Sequence, residues 1–382
     1  MAGAEETRGP LHGVKVIEIA SIGPGPFTAM MLADMGAEVI RLERADAGGL
    51  GAGSWNFVHR GRPSVGCDLK NSAGREMVLR LCESADALIE GFRPGVMEKL
   101  GVGPDEVLAR NPRLVYGRMT GYGQDGPMSK VAGHDINYIS LAGALGQFRR
   151  TGEKPLAPIN MVGDYGGGAM FLAFGLVCGV LEARSSGQGQ VVDAAMVEGS
   201  ALLMTMIHAL KDVGMWGEPG TNLLDSGAHF YDTYECKDGG HVAIGALEPQ
   251  FYAELMRLLE LDPDELPQMQ QDRWPELKEK LAAVFLTKTR EEWIEILEPA
   301  DACATGVYGM ADAPSHPHNR AREAFVEVGG KLQPAPAPRF SRTPAATPAP
   351  PSEPAADTDA ALAAWGYSEA EIAELREAGA VG

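Results

Sequence analysis

The β-branched and apolar residues of 14–19 suggest a buried strand, followed by the turn Gly23-Pro24-Gly25-Pro26, the helix-compatible stretch TAMMLADMGA and a second strand, EVIRLER. A parallel pair of strands needs a crossover of helix length, whereas a hairpin needs only a short turn, so this spacing predicts a Rossmann-like βαβ unit. The turn lacks the third glycine of G-x-G-x-x-G, and Arg44 stands where the second strand ends. Both features argue against a nicotinamide dinucleotide and leave another nucleotide-bearing ligand open.

The pattern recurs. SVGCDLK, a helix over 73–84 and ALIEGF repeat it, and the helical DEVLAR with the strand LVYGRMTGYG repeats it again, which predicts an open α/β sheet. VVDAAMVEGS and the methionine-rich stretch to Ile207 read as one more strand and a long helix, the methionines as core packing. Between residues 228 and 246 the short runs FYDTY and HVAIGAL flank Lys237-Asp238-Gly239-Gly240, the signature of a small antiparallel sheet. Helices near 250–259, 275–285 and 291–298 complete a second domain. From Lys331 to Pro354 eight prolines, each without a backbone donor, predict an extended crossing segment. Ser368 with Glu371 predicts a capped helix near the end of the sequence.

With 33 Lys and Arg against 52 Asp and Glu, the net charge of −19 argues against general affinity for nucleic acid or anionic membrane. An anionic ligand then needs a local basic pocket. Arg41 and Arg44, Lys70, and Arg93 with Lys99 in GFRPGVMEKL supply candidates near expected strand ends. The five cysteines are scattered without C-x-x-C pairing, so neither a disulfide framework nor a structural metal site is expected. MAGAEETRGP reads as a frayed start rather than a secretory signal. The apolar stretch 169–181 holds thirteen residues, short of the roughly 20 that span a bilayer. No membrane insertion and a cytoplasmic location are the expectations.

His134 opens GHDINYISLAGAL at a loop-to-helix edge, and thirty residues later Asp164 precedes Tyr165-Gly166-Gly167-Gly168 and an apolar helical run. By position alone, His134 reads as a core or capping residue and Asp164 as a helix N-cap. The chemical reading uses the same placement, because a helix N-terminus presents free N–H groups to an oxyanion and the glycines would let a substrate approach the backbone. An imidazole and a carboxylate on opposite faces of one carbon can each remove or return its proton, which inverts the centre. The α-carbon of a thioester is a weak acid, so N–H donors must carry the enolate charge, at about 3 to 4 kcal/mol per donor. Glu248, after the apolar run ending at Gly245, reads as a helix cap or as a residue that orients a histidine.

The segments GVKVIEIASIGPGP, CDLK, ADALIEGFRPGVMEKLGVGP, RMTGYGQDGP, GHDINY, VGDYGGG, GQGQVVDAAMVEG, NLLDSGAHFYDTY and GALEPQF, in this order and spacing, resemble the α-methylacyl-CoA racemase branch of the family III CoA-transferases along nearly the whole chain. The resemblance implies an α/β fold: a Rossmann-like large domain with a smaller α+β domain, in an interlocked homodimer. The large domain is expected over 1–195 and 335–382, a linker over 196–224, the small domain over 225–315 and a return linker over 316–334. It further implies His134 and Asp164 as the acid/base pair on a 2-methylacyl-CoA, supported by Glu248 from the partner subunit. Arg44, Cys67, Asp68, Leu69, Lys70, Gly91, Phe92, Arg93, Lys99, Gly133, Asp135, Ile136, Asn137 and Tyr138, with His134 itself, are implied as contacts to the CoA thioester. No cofactor and no metal are implied; CoA arrives as part of the substrate.

Residues 56–62, NFVHRGR, depart from the family's usual loop, as do Lys99, His229 and Gly306-Val307. These bear on acyl-chain preference more than on reaction type. CoA transfer between carboxylic acids is the enzymatic alternative, with Asp164 attacking the thioester, and His134 argues against it because transfer needs no second base. A non-catalytic CoA-thioester-binding protein is the other alternative.

Overall fold

The structure, a computed structural model, describes residues 8–46, 53 and 55–382. Residues 1–7, which open the stretch expected to fray, lie outside the described residues. The chain folds as two compact units, one built from residues up to 142, 159–203 and 321–382, the other from 143–158 and 204–320.

In the first unit, β1 (Lys15–Ile19), α1 (Pro24–Asp34) and β2 (Glu38–Glu43) form the expected crossover, with β1 and β2 parallel. β3 (Ser64–Gly66), α2 (Ser72–Cys82), β4 (Ala87–Glu90), α3 (Val96–Leu100), α4 (Pro104–Arg110), β5 (Val115–Thr120) and β6 (Val191–Ala195) complete a six-stranded parallel sheet of order 3-2-1-4-5-6. That order is the dinucleotide-fold arrangement, whose ligand crevice opens where strand order reverses, between β1 and β4. Alternation decides the two faces. Ile17, Ile19, Ile40, Leu42, Leu88 and Tyr116 pack on one side with α2 and α4. Val16, Val39, Ala87, Ile89 and Val115 pack on the other with Ala29 and Leu32 of α1. Both faces are covered, which is why these strands read as near-continuous apolar runs.

After β5 come α5 (Asp135–Leu141), a π-helical turn (Met161–Ala169) continuous with α6 (Met170–Ser186), and, beyond β6, α7 (Met196–Leu203). The helical run Met161–Ser186 is long and apolar enough, by length and composition, to cross a membrane, because the π-helical turn extends the apolar stretch upstream. Leu172, Leu176 and Val180 bury one face of it on the sheet, while Met170, Phe174 and Leu181 remain exposed on the other. The expected long methionine-rich helix is two helices, α7 and α8 (Thr205–Asp212), broken at Met204; Leu202, Leu203 and Met206 are exposed rather than packed in a core.

The second unit holds β7 (Tyr231–Glu235), β8 (His241–Gly245) and β9 (Ala304–Gly306) in an antiparallel sheet, with α8, α9 (Pro249–Leu258), α10 (Trp274–Phe285), α11 (Arg290–Leu297) and the short α12 (Pro317–Ala321). Its core gathers Phe230, Tyr234, Trp274, Phe285 and Trp293. His229 lies fully buried there, its Nε2 2.7 Å from the Tyr252 hydroxyl, and burial pushes the imidazole down to about 4. Residues 143–158, expected in the large domain, belong to this unit. Arg150 donates to Asp232 at 2.7 and 2.9 Å, and Trp216 Nε1 donates to Gln147 Oε1 at 2.9 Å.

The chain then returns to the first unit through β10 (Phe325–Val328) and β11 (Lys331–Pro334), an antiparallel pair turned by Gly329 and Gly330 at positive φ. The proline-rich tract therefore begins as a strand, which Pro334 can end because its partner asks no N–H of it there. Residues 321–334, expected in a linker, are part of this unit. α13 (Thr358–Ala364) and α14 (Glu369–Glu377) pack on the face of α2; Ser368 and Glu371 cap α14 reciprocally, as expected.

Candidate active site

The β5 exit sets His134. Gly121 follows the strand, and a side chain there would lie 2.0 Å from the Tyr138 ring, so only glycine admits that ring. Tyr138 stands edge-on to Tyr122 at 4.9 Å and its hydroxyl donates to the Gly133 carbonyl. His134 then occupies the N-cap position of α5, its backbone N–H donating to Asn137 Oδ1 at 3.0 Å, with the imidazole exposed.

Asp164 is held differently from its expected N-cap position. It sits inside the π-helical turn, whose N-cap is Asn160. π turns insert an extra residue per turn and recur at functional sites. Asn160 Nδ2 donates to Asp164 Oδ2 at 3.1 Å, and the Asp164 N–H donates to Asp135 Oδ1 at 2.7 Å. Tyr165 stacks on Phe27 at 4.4 Å, and Gly23 of the β1–α1 turn faces the Asp164 carboxylate. Partial burial raises the Asp164 carboxyl above the usual carboxylate range; Asp135 adds to this, while Asn160 and the nearby His134 oppose it. Two groups thirty residues apart thus meet electrostatically at the C-terminal edge of the sheet.

Two of the three glycines after Asp164, Gly167 and Gly168, face packing rather than a ligand, contrary to expectation. A side chain at Gly167 would lie 2.5 Å from Ser200 Oγ, and one at Gly168 2.8 Å from Met196 Cγ, so both serve close packing against α7. Glu248 holds the N-cap position of α9 in the second unit, exposed and without a side-chain capping bond.

The other expected residues gather around a cavity of about 1100 Å³ in the first unit, lined by residues 19–22, 41–46, 67–70 and 379–382 with Phe92, Val96 and Leu100. Arg44, Asp68 and Lys70 are exposed there; Arg44 pairs with Asp46 at 2.6 Å. Burial pushes the Cys67 thiol up to about 12, so Cys67 is a neutral wall residue and no thiolate nucleophile. Arg41, though it lines the cavity, is engaged by carboxylates rather than left open to a phosphate. It lies inside β2 at 4% exposure, bound to Glu18 at 3.0 Å and to Glu43 at 3.2 Å. Gly91, Phe92 and Arg93 follow β4, where buried Glu90 accepts from the Phe92 N–H at 2.7 Å and from Arg118 at 3.0 Å. Arg118 reaches on to Glu98 at 2.8 Å, which anchors the helix bearing exposed Lys99. Ile136 and Asn137 are exposed on the first turn of α5. In the 56–62 loop, Arg60 binds Asp34 at 2.6 Å and Arg62 binds Glu18 at 2.9 Å, so its basic residues hold structure rather than ligand.

Sequence reading missed Asn160, the Asp135 carboxylate as a partner of Asp164, and the segment 379–382. For Asn160 a signal existed, since a residue four before Asp164 shares its face of a helix. Among the described residues, no group of three or more His, Cys, Asp or Glu could hold a metal ion.

A six-stranded dinucleotide-type sheet, an imidazole and a half-buried carboxylate at its ligand edge, and a cavity of about 1100 Å³ with charged and apolar lining residues define an α/β enzyme with room for a large substrate. The chain belongs to CoA-transferase family III, whose sequence profile matches residues 11–360. It is 47% identical over 370 residues to the alpha-methylacyl-CoA racemase of Mus musculus, covering 96% of each chain. It is 42% identical over 374 residues to that of Homo sapiens, again covering 96% of each. The fold is also that of a CAIB/BAIF family protein from Brucella suis, with a TM-score of 0.80, 22% identity, and coverage of 94% of this chain and all of that one. The chain is therefore an enzyme of this family, similar along its length to isomerase members.

Proposed function

We propose that the chain interconverts (2R)- and (2S)-2-methylacyl-CoA thioesters by 1,1-proton transfer, with His134 and Asp164 as the two acid/base residues. The observation that carries this reading is the pairing itself: Asp164, held half-buried beside Asn160 and Asp135, lies within electrostatic reach of His134. One base takes the C2 proton, the electron pair moves onto the thioester oxygen as an enolate, and the conjugate acid of the other group returns a proton to the opposite face. Proton count is unchanged over the cycle. The Asp135 and Ile136 N–H groups, which open α5, have no intrahelical acceptor and are candidate donors to the enolate oxygen, whereas the Asn137 N–H donates to the His134 carbonyl at 2.8 Å.

A single 2-methylacyl-CoA epimer incubated in D2O without acceptor acid should gain deuterium at C2 and lose optical purity. Turnover only on addition of a carboxylic acid would instead establish CoA transfer through attack by Asp164. The contacts at Arg44, Cys67–Lys70, Gly91–Arg93, Lys99 and Gly133–Tyr138 are proposed for the CoA portion.

The proposal extends to an interlocked homodimer in which Glu248 of the second copy supports His134. Exposed Met170, Phe174 and Leu181 on one helix face favour a covering copy, because contiguous apolar surface of this kind marks an interface. Sedimentation velocity should find a dimer at nanomolar concentration; a stable, active monomer would reject it.

The pH profile tests the Asp164 assignment. The acidic limb of kcat/KM for the epimer that Asp164 deprotonates should lie above the ordinary carboxylate range. Asp135→Asn keeps an oxygen acceptor for the Asp164 N–H and removes a negative charge, so it should move that limb to lower pH. An unmoved limb would disconnect Asp135 from Asp164.

A further inference from the structure

We propose that the segment Gly379–Gly382 is part of the thioester-binding site, walling the nucleotide end of the cavity and setting affinity for CoA over shorter thiols. This rests on reading the cavity as the CoA site. The segment lines the cavity on the side of residues 44–46 and 67–70. Its placement is fixed: Ala380 is fully buried and Val381 is 6% exposed. The Asp68 N–H donates to the Ala380 carbonyl at 3.0 Å, and Asn71 Nδ2 donates to the Ala378 carbonyl at 2.7 Å. These two bonds tie the turn bearing exposed Lys70 to the end of α14. That helix is itself fastened to α2, where Arg80 binds Glu371 at 2.7 Å and lies 4.0 Å from the Tyr367 ring centre.

Sheet geometry decides which end of the ligand lies here. The reacting carbon belongs near the strand-order reversal, where Gly23 faces Asp164. The exits of β2 and β3 lie one and two strands away from β1, on the side where a doubly wound sheet receives the ribose and base of a nucleotide. Lys70 stands at the β3 exit with exposed charge suited to phosphate, and Arg44, paired with exposed Asp46, at the β2 exit. Gly382 runs against them, since a side chain on it would lie 2.4 Å from the Ala45 methyl, and one on Gly66 would lie 3.1 Å from the Gly382 nitrogen. A side chain at 382 would therefore have to displace Ala45, which lines the same cavity, or shift Gly382 itself.

Gly382→Trp and a chain shortened by residues 380–382 test the proposal, each checked for folding by circular dichroism and thermal melting. KM for a 2-methylacyl-CoA should rise by about tenfold or more with kcat nearly unchanged, while kcat/KM for the matching pantetheine thioester stays within about twofold. Calorimetric titration with free CoA should show the same weakening, and titration with pantetheine should not. Equal KM for the CoA thioester in folded Gly382→Trp, or equal losses on both thioesters, would overturn the assignment. If the unsubstituted protein bound no CoA, the CoA reading of the cavity would fall first, and that titration identifies it separately.

Discussion

His134→Ala should lower the proposed racemisation of a 2-methylacyl-CoA by about 10³-fold or more, with thioester binding changed only slightly, because a positioned acid/base group contributes about 10² to 10⁴ and a two-base inversion needs both groups. The imidazole is exposed at the start of α5, and the backbone bond from His134 to Asn137 does not involve the side chain, so the helix start survives its loss. The remaining Asp164 can still exchange one proton on its own face. The variant should therefore wash deuterium into one epimer faster than it produces the other, a signature that unfolding cannot imitate. Turnover equal to the parent would remove His134 from the mechanism, and retained acid-dependent CoA transfer would leave Asp164 acting alone as a nucleophile.

The second large effect is on stability. Glu18 of β1 is completely buried, with Arg41 at 3.0 Å and Arg62 at 2.9 Å on its two oxygens. Glu18→Ala removes the carboxylate that neutralises Arg62, whose other bonds go to the Pro26 and Val58 carbonyls, and leaves Arg41 with Glu43 alone. Breaking one member of a buried ion network costs about 3 to 5 kcal/mol, because the stranded guanidinium pays its desolvation without compensation. Denaturant unfolding followed by intrinsic fluorescence and circular dichroism should shift to markedly lower midpoint. The adjoining residues Ile19–Ile22 and Arg41–Glu43 line the large cavity, so ligand affinity should fall together with stability. An unchanged midpoint would mean the cluster is solvated in solution.

The parallel sheet was legible because buried strands carry their own signal: β1, β2, β4 and β5 are rich in β-branched and apolar residues between turn residues, although each also carries charge. The antiparallel sheet was legible from Lys237-Asp238-Gly239-Gly240 between two alternating runs. The hairpin of β10 and β11 was hidden because prolines after Pro334 dominated the composition of its surroundings. Arg41 read as a ligand because charge near a strand end resembles a phosphate contact; its partners Glu18 and Glu43 lie on β1 and β2, and their convergence is a property of the folded sheet. Asp164 read as a cap because Asp followed by glycines is what a helix start looks like, and the π turn leaves no local mark. Nothing in the spacing of His134 and Asp164 says that they meet. The family resemblance suggested that pairing; the folded chain surrounds Asp164 with Asn160, Asp135 and the Tyr165 ring stacked on Phe27.

Because Asp164 lies within the π turn, its direction depends on the number of residues in Met161–Ala169 as well as on their identity. Removing one residue would let the turn tighten toward ordinary helical winding and change the angle at which Asp164 projects relative to the helix that follows. Surface loops elsewhere in the chain can lengthen or shorten during divergence with little consequence, whereas this turn counts its residues. Indels there are expected to be purged even when every side chain that touches the substrate is preserved.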